Sequence, residues 1–407
     1  MILSRSKKQL IQQAPVTLCQ LLSPFTTQTI AETELQSLLS QPLLLDKVIE
    51  CASQHFVAGA LYAQLQHHGL LPTLPVDLRD FLSCQHTFMK DRNQRLKQQL
   101  QGIIRLLDDE GHIPQIMKGG DTLFYDLYPT LGCRFMSDFD ILLPVGEVPK
   151  ARATLVKHGY AVPKKYQAIK ESPLSHHAVP IYKEGDDCAV ELHYHPLSYK
   201  ADALLTTEMA FANSEAITTL DSNTAQALRL SPTDKVMHCF VHSEICHGFQ
   251  ENDWLDIRQL DYFSRLLQQH KETIDWTLLE NRLAKKGHLA DFAVYCSKAR
   301  LLFGWPVGVP LFEEYLPSTR IVEKRYRAAL SSAMSQHYPL QRLFYGLKFV
   351  VSVFAPKYLE VQFDLTIDSP LDYLKAVSRK VMLLGRRLLK PVAFFRQLKA
   401  IFTTKAW

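Results

Sequence analysis

The sequence predicts an α+β fold, a small mixed-sheet core set between N-terminal and C-terminal helical regions. Two observations carry this. Apolar residues recur at three-to-four spacing through the first 110 residues and again beyond Ala201, the period of helices with one buried stripe. Between them, residues 113–195 change to short apolar runs punctuated by Gly, Pro and Asp, in the order strand, helix, strand, helix, hairpin.

Taken in order, a periodic stretch from Leu43 to His68 and a longer one from Val76 to Glu110 read as helices. In the second, Phe81, Cys84, Phe88, Leu96, Leu100, Ile103 and Leu107 form the stripe, and Gly111 is placed to end it. The run IPQIMK reads as a strand, Gly119-Gly120 as a tight turn, and the following residues through Tyr128 as a helix. DFDILLP is a second strand stopped by Pro144, and Glu147 to His158 a helix ending at Gly159. Ala178–Lys183 and Cys188–His195 are two further strands joined by EGDD, a hairpin-turn composition. Beyond Ala201, helices are expected at Pro232–His247, Trp254–Gln269, Trp276–Lys286 and Ala290–Phe303. The implied divisions are residues 1–111, 112–200, 201–330 and 331–407.

Composition narrows the function classes. With 47% apolar and 21% charged residues, the chain reads as an ordinary globular protein without repeats. Its eight cysteines are scattered and include no CxxC pair, as in a reduced, cytoplasmic protein. The N-terminal residues hold no apolar run suited to a secretory signal, and the best apolar window, Leu343 to Ala355, is short and contains Lys348. Neither export nor a membrane span is expected. Residues 375–407 hold nine Lys or Arg and no acid, although the net charge of the whole chain is only +5. A mildly acidic body with a basic tail argues against a whole-surface nucleic-acid binder, and nothing in the sequence points to sequence-specific nucleic-acid binding. It suits a peripheral contact of the amphipathic stretch Lys375–Thr404 with an anionic membrane face.

Chemistry concentrates on Asp138 and Asp140. One residue apart on a strand, they leave the same face, while Phe139 and Ile141 point the other way. Two such carboxylates repel unless a cation lies between them, and hard oxygen ligands suit Mg²⁺ or Mn²⁺. Gly119 and Gly120 lie between a strand and a helix, where backbone N–H groups can receive a phosphate. Lys118 and Arg134 supply cations for triphosphate oxygens. A competing pattern lies in the histidines. His176, His177, His193 and His195 fall on the hairpin, and His238, His242, Cys246 and His247 have near-helical spacing that mimics a zinc site. Packed, hydrogen-bonded histidines explain the same positions.

The run KGGDTLFYDLYPTLGCRFMSDFDILLP, followed by a helix and then VELHYHPL, resembles the uncharacterised nucleotidyltransferase family of the DNA polymerase β superfamily. MHCFVHSEICHGFQENDWLDI and IDWTLLENRLAKKG extend the resemblance into the later helices. It implies a nucleotidyltransferase-type sheet with Asp138 and Asp140 as the metal pair. Glu191 would be the third carboxylate, ligating a metal and helping to deprotonate an acceptor hydroxyl. Lys118, Gly119, Gly120 and Arg134 would meet the NTP. The acceptor is left open. An NTP-binding regulatory or scaffold protein without turnover, or a zinc-dependent enzyme, are the alternative readings.

Overall fold

The computed structural model describes residues 5–167, 172, 175–198, 201–217, 226–247, 254–333, 359 and 366–388. The chain divides into two compact units, one of residues 1–169 and 176–333, the other of residues 170–175 and 334–407. In the second unit the described structure is mainly a helix, Pro370–Leu388, whose first turn carries Asp372. The expected basic stretch Lys375–Thr404 therefore begins inside a helix, and its part beyond residue 388 lies outside the described residues. Among the described residues no helix is long and apolar enough to cross a membrane.

The first unit is α+β, as expected. Its helices are α1 (Arg5–Leu22), α2 (Gln28–Leu39), α3 (Pro42–Gln54), α4 (Ala58–His67), α5 (Val76–Asp108), α6 (Lys118–Asp121), α7 (Val148–Lys157), α8 (Thr207–Ala212), α9 (Pro232–Phe240), α10 (Ile257–His270), α11 (Trp276–Lys286), α12 (Leu289–Phe303) and α13 (Thr319–Ser332). Its strands are β1 (Gln115–Ile116), β2 (Asp138–Leu142), β3 (Ala189–His193), β4 (Glu215–Ala216) and β5 (Leu228–Arg229), in the spatial order β3-β2-β1-β5-β4. β2 runs parallel to β3 and antiparallel to β1, and α7 makes the crossover between the parallel pair.

Several boundaries differ from the sequence reading, each for a physical reason. The stretch 43–68 is two helices, broken where Phe56 takes a φ of 55°. β1 is only two residues long because Pro114 lacks an N–H and Lys118 turns to a φ of 51°. The helix expected through Tyr128 stops at Asp121, where the Thr122 hydroxyl donates to the Gly119 carbonyl at 2.7 Å. In the hairpin, the expected strand Ala178–Lys183 is reduced to isolated bridges, Ile181 to Val190 of β3 and Tyr182 to Ala161, because Ala178 rather than Val179 donates to the Leu192 carbonyl and breaks the regular register. The helical reading beyond Ala201 missed β4 and β5, whose two-residue length leaves no alternation to detect. The helix expected at Pro232–His247 is α9 followed by a π-turn over Val241–Cys246.

The stripe on α5 is right in its second half and rotated in its first. Leu96, Leu100, Ile103 and Leu107 are buried, with Phe139, Ile141, Val148, Leu155 and Val190, in the core that backs the sheet. Phe81, Cys84 and Phe88 are exposed, and Leu82, His86 and Asn93 are buried instead. The two polar residues face inward because they hold the loop that leads into β2. His86 Nε2 meets Thr130 Oγ1 at 2.7 Å, and Asn93 Nδ2 donates to the carbonyls of Leu131 and Arg134 at 2.6 and 2.7 Å. Helix α5 thereby sets the point from which the two aspartates depart.

Candidate functional site

Parallel pairing of β2 with β3 places Asp138 opposite Ala189, Asp140 opposite Glu191 and Leu142 opposite His193. Since side chains alternate along a strand, Asp138, Asp140, Glu191 and His193 share one face, and Phe139, Ile141 and Val190 fill the core behind it. Asp140 is buried and its Oδ1 receives two groups, Lys118 Nζ at 2.5 Å and His193 Nε2 at 2.9 Å. Glu191 Oε2 lies 3.8 Å from Nε2 of both His177 and His193. Ligand atoms of Asp140, Glu191 and His193 all fall within 4.8 Å of one another, close enough to share one cation. Asp138 stands outside this set, nearer solvent, and accepts from Ser137 Oγ at 3.2 Å.

The electrostatics separate the three carboxylates. Burial alone would raise the Asp140 carboxyl, but the Lys118 ammonium and the His193 contact outweigh it and hold Asp140 far below the usual carboxylate range. Glu191 has no such cation of its own. Burial, together with the charges of Asp140 and Asp138, pushes it up to about 7. Asp138 is raised by burial and by Asp140. His193 and His177 are both lowered, chiefly by burial. A divalent ion fits this donor set: it would neutralise the crowded carboxylates, whose charge is otherwise met mainly by Lys118.

Lys118 reaches Asp140 from a left-handed backbone conformation, uncommon for a residue with a side chain and a recurrent feature of functional sites. The following glycines are required by packing. A Cβ on Gly119 would stand 2.9 Å from Met136 Cβ, and one on Gly120 would stand 3.0 Å from Ile116 and 3.4 Å from Leu100. The turn thus lies directly on the core beside β2, bringing its backbone close to the aspartates.

Arg134 is buried behind this turn. Its Nη1 donates to the Arg258 carbonyl at 2.9 Å, its Nη2 to Gln259 Oε1 at 3.3 Å, and its guanidinium lies 5.2 Å from the Tyr262 ring centre. With Lys118, Asp121, Lys235, His238 and His242 it lines an internal cavity. Lys118 and Arg134 therefore meet in one cavity, although Arg134 makes no contact with the carboxylates of β2 and β3. Lys235, paired with Asp121 at 2.7 Å, belongs to the same cavity and was not anticipated. A single Lys inside the apolar helix PTDKVMHCF gives no local sign of being turned inward.

Of the histidines, His177 and His193 join the carboxylates; the signal was their place on the hairpin, and only strand register could connect them with Asp140. The helical set behaves differently. His238 Nε2 faces the Pro196 carbonyl at 3.1 Å, its ring stacks on His242 with centres 5.4 Å apart, and His242 and His247 meet Nε2 to Nε2 at 3.2 Å. Among the described residues His238, His242, Cys246 and His247 do not form a metal-holding group.

Comparison with known proteins matches the chain to a family model described as uncharacterised nucleotidyltransferase, over residues 42–304. No curated protein and no solved structure matches the chain.

Proposed function

The protein belongs to the uncharacterised nucleotidyltransferase family, whose match spans more than half the chain, and we propose that it moves a nucleotidyl group from an NTP to a hydroxyl-bearing acceptor. The observation that carries the reading is the register that sets Asp140 against Glu191, with Asp138 one pleat away on the same face. Asp138, Asp140 and Glu191 would hold Mg²⁺ or Mn²⁺. When bound, the ion supplies charge neutralisation for the triphosphate and polarises the α-phosphoryl group.

The remaining work falls to the protein's own side chains. Glu191, besides ligating an ion, would help to take the proton from the acceptor hydroxyl. The acceptor oxygen then bonds to the α-phosphorus, the bond to the β-phosphate oxygen breaks, and pyrophosphate leaves. Lys118, now on Asp140, would meet phosphate oxygens together with the backbone of Gly119 and Gly120. Arg134, in the cavity that Lys118 also lines, adds positive potential behind them.

Incubation with each of the four NTPs, Mg²⁺ and a cell extract, with mass detection of modified products, tests the reading and identifies the acceptor. Pyrophosphate release alongside a nucleotidylated product is expected. NTP binding without pyrophosphate release would instead support a regulatory or scaffold protein on the same fold.

A further inference from the structure

Beside the two carboxylates, the wall of the site is imidazole. His177 and His193 face each other across a bridge of the hairpin, ring centres 5.3 Å apart. Each turns Nδ1 to a backbone carbonyl, His177 to Ala178 at 2.7 Å and His193 to His195 at 3.3 Å. A neutral imidazole carries one N–H. With its N–H donated at Nδ1, His177 turns its Nε2 lone pair to Glu191 at 3.8 Å, whereas His193 Nε2 makes the 2.9 Å hydrogen bond to Asp140 and lies 3.8 Å from Glu191.

A divalent ion entering between these atoms would take the place of the His193 Nε2 proton, since an imidazole ligates through a deprotonated nitrogen. His193 is fully buried, and its ligand atom lies with those of Asp140 and Glu191 within a 4.8 Å cluster. Donation of Nδ1–H to a carbonyl with Nε2 turned to a carboxylate pair is also the arrangement in which metal-bound histidines are held. Imidazole nitrogen is a softer donor than carboxylate, and Mg²⁺ takes oxygen ligands and keeps its waters, whereas divalent transition ions accept nitrogen readily.

We propose that Asp140, Glu191 and Nε2 of His193 form a mixed nitrogen–oxygen site that selects a divalent transition ion over Mg²⁺, with Nε2 of His177 as a neighbouring donor. This rests on the nucleotidyl-transfer reading for the ion's purpose, not for its binding. Asp138, outside the cluster, is then free to meet the nucleotide-bound ion.

Pulsed EPR of the full chain loaded with Mn²⁺ reads nitrogen coupling to the metal without any turnover. Coupling from a coordinated imidazole is expected in the wild type and lost in His193→Gln. Calorimetry should find Mn²⁺ bound at least about tenfold more tightly than Mg²⁺, and a preference about tenfold smaller in the variant. The wild-type spectrum decides the donor even where the variant does not fold. Bound Mn²⁺ with no nitrogen coupling, or no divalent binding at all, overturns the proposal; in the first case, Mg²⁺-supported transfer would leave the reaction standing. Nitrogen coupling in a protein that releases no pyrophosphate supports the site and overturns the reaction.

Discussion

Asp140 and Glu191 stand opposite one another on parallel strands, and one is held ionised by Lys118 while the other is pushed toward neutrality. The contrast comes from the Lys118 ammonium at 2.5 Å and the His193 contact at 2.9 Å, both made directly to Asp140. A triphosphate approaching this face meets carboxylates first. NTP binding should therefore require a divalent ion, and calorimetry should lose at least about tenfold in affinity when EDTA is present. Equal affinity with and without EDTA would contradict the carboxylate site.

The two aspartates should differ in what they contribute to folding. Asp140→Asn removes the partner of half-buried Lys118 and buried His193 and should lower metal-free stability by on the order of 3 kcal/mol. Asp138→Asn removes a desolvated charge whose carboxyl is already raised, and should leave stability unchanged or raise it by up to about 1 kcal/mol. Urea unfolding in EDTA gives the comparison; losses of equal size would mean that Lys118 is not tied to Asp140.

Packing predicts a second contrast between glycines. Gly119→Ala forces a Cβ to within 2.9 Å of Met136 Cβ, which cannot swing away, and should cost about 1–3 kcal/mol. Gly102→Ala, in helix α5 with no atom within 4 Å of the added methyl, should instead stabilise by about 0.5–1 kcal/mol. Chemical denaturation of both variants reads the pair, and a neutral Gly119→Ala would remove the close approach of the turn to β2.

Acid stability should depend on His238. Burial, then the nearby Lys118 charge, lowers it to about 3, against roughly 6.5 in an unfolded chain. Between those values the native protein binds one proton fewer than the unfolded one, so the contribution is present above about pH 6.5 and lost as pH falls. The slope for this residue is about 1.4 kcal/mol per pH unit. Replacing it by His238→Gln should flatten stability against pH by about one proton between pH 4.5 and 6, measured from denaturation midpoints. An unchanged slope would mean that His238 is protonated in the fold.

Much of this architecture was legible in the sequence. Asp138 and Asp140 reveal their shared face through spacing alone, and Gly111 and Gly159 do end their helices, at φ of 80° and 93°. Glu191 was reached through the resemblance, and its pairing with Asp140 depends on strand register, which one chain's sequence leaves free. The inward turn of His86 and Asn93 was hidden because polar side chains on a helix read as solvent-facing unless their distant partners, here Thr130, Leu131 and Arg134, are known. Lys235 was invisible for the same reason, its partner Asp121 lying far along the chain. β4 and β5 escaped because pairing with β1 and with each other, rather than any local pattern, makes those two-residue segments strands.

Nucleotidyl transfer at the face shared by Asp138, Asp140 and Glu191 is tested most directly with an NTP labelled at the α-phosphorus. With a divalent ion and a cell extract as the source of acceptor, label should pass to an acceptor in step with pyrophosphate release. The double variant Asp138→Asn with Asp140→Asn should transfer at least about 10³-fold more slowly. Release of orthophosphate without label transfer, or near-normal transfer by a well-folded double variant, would contradict the account.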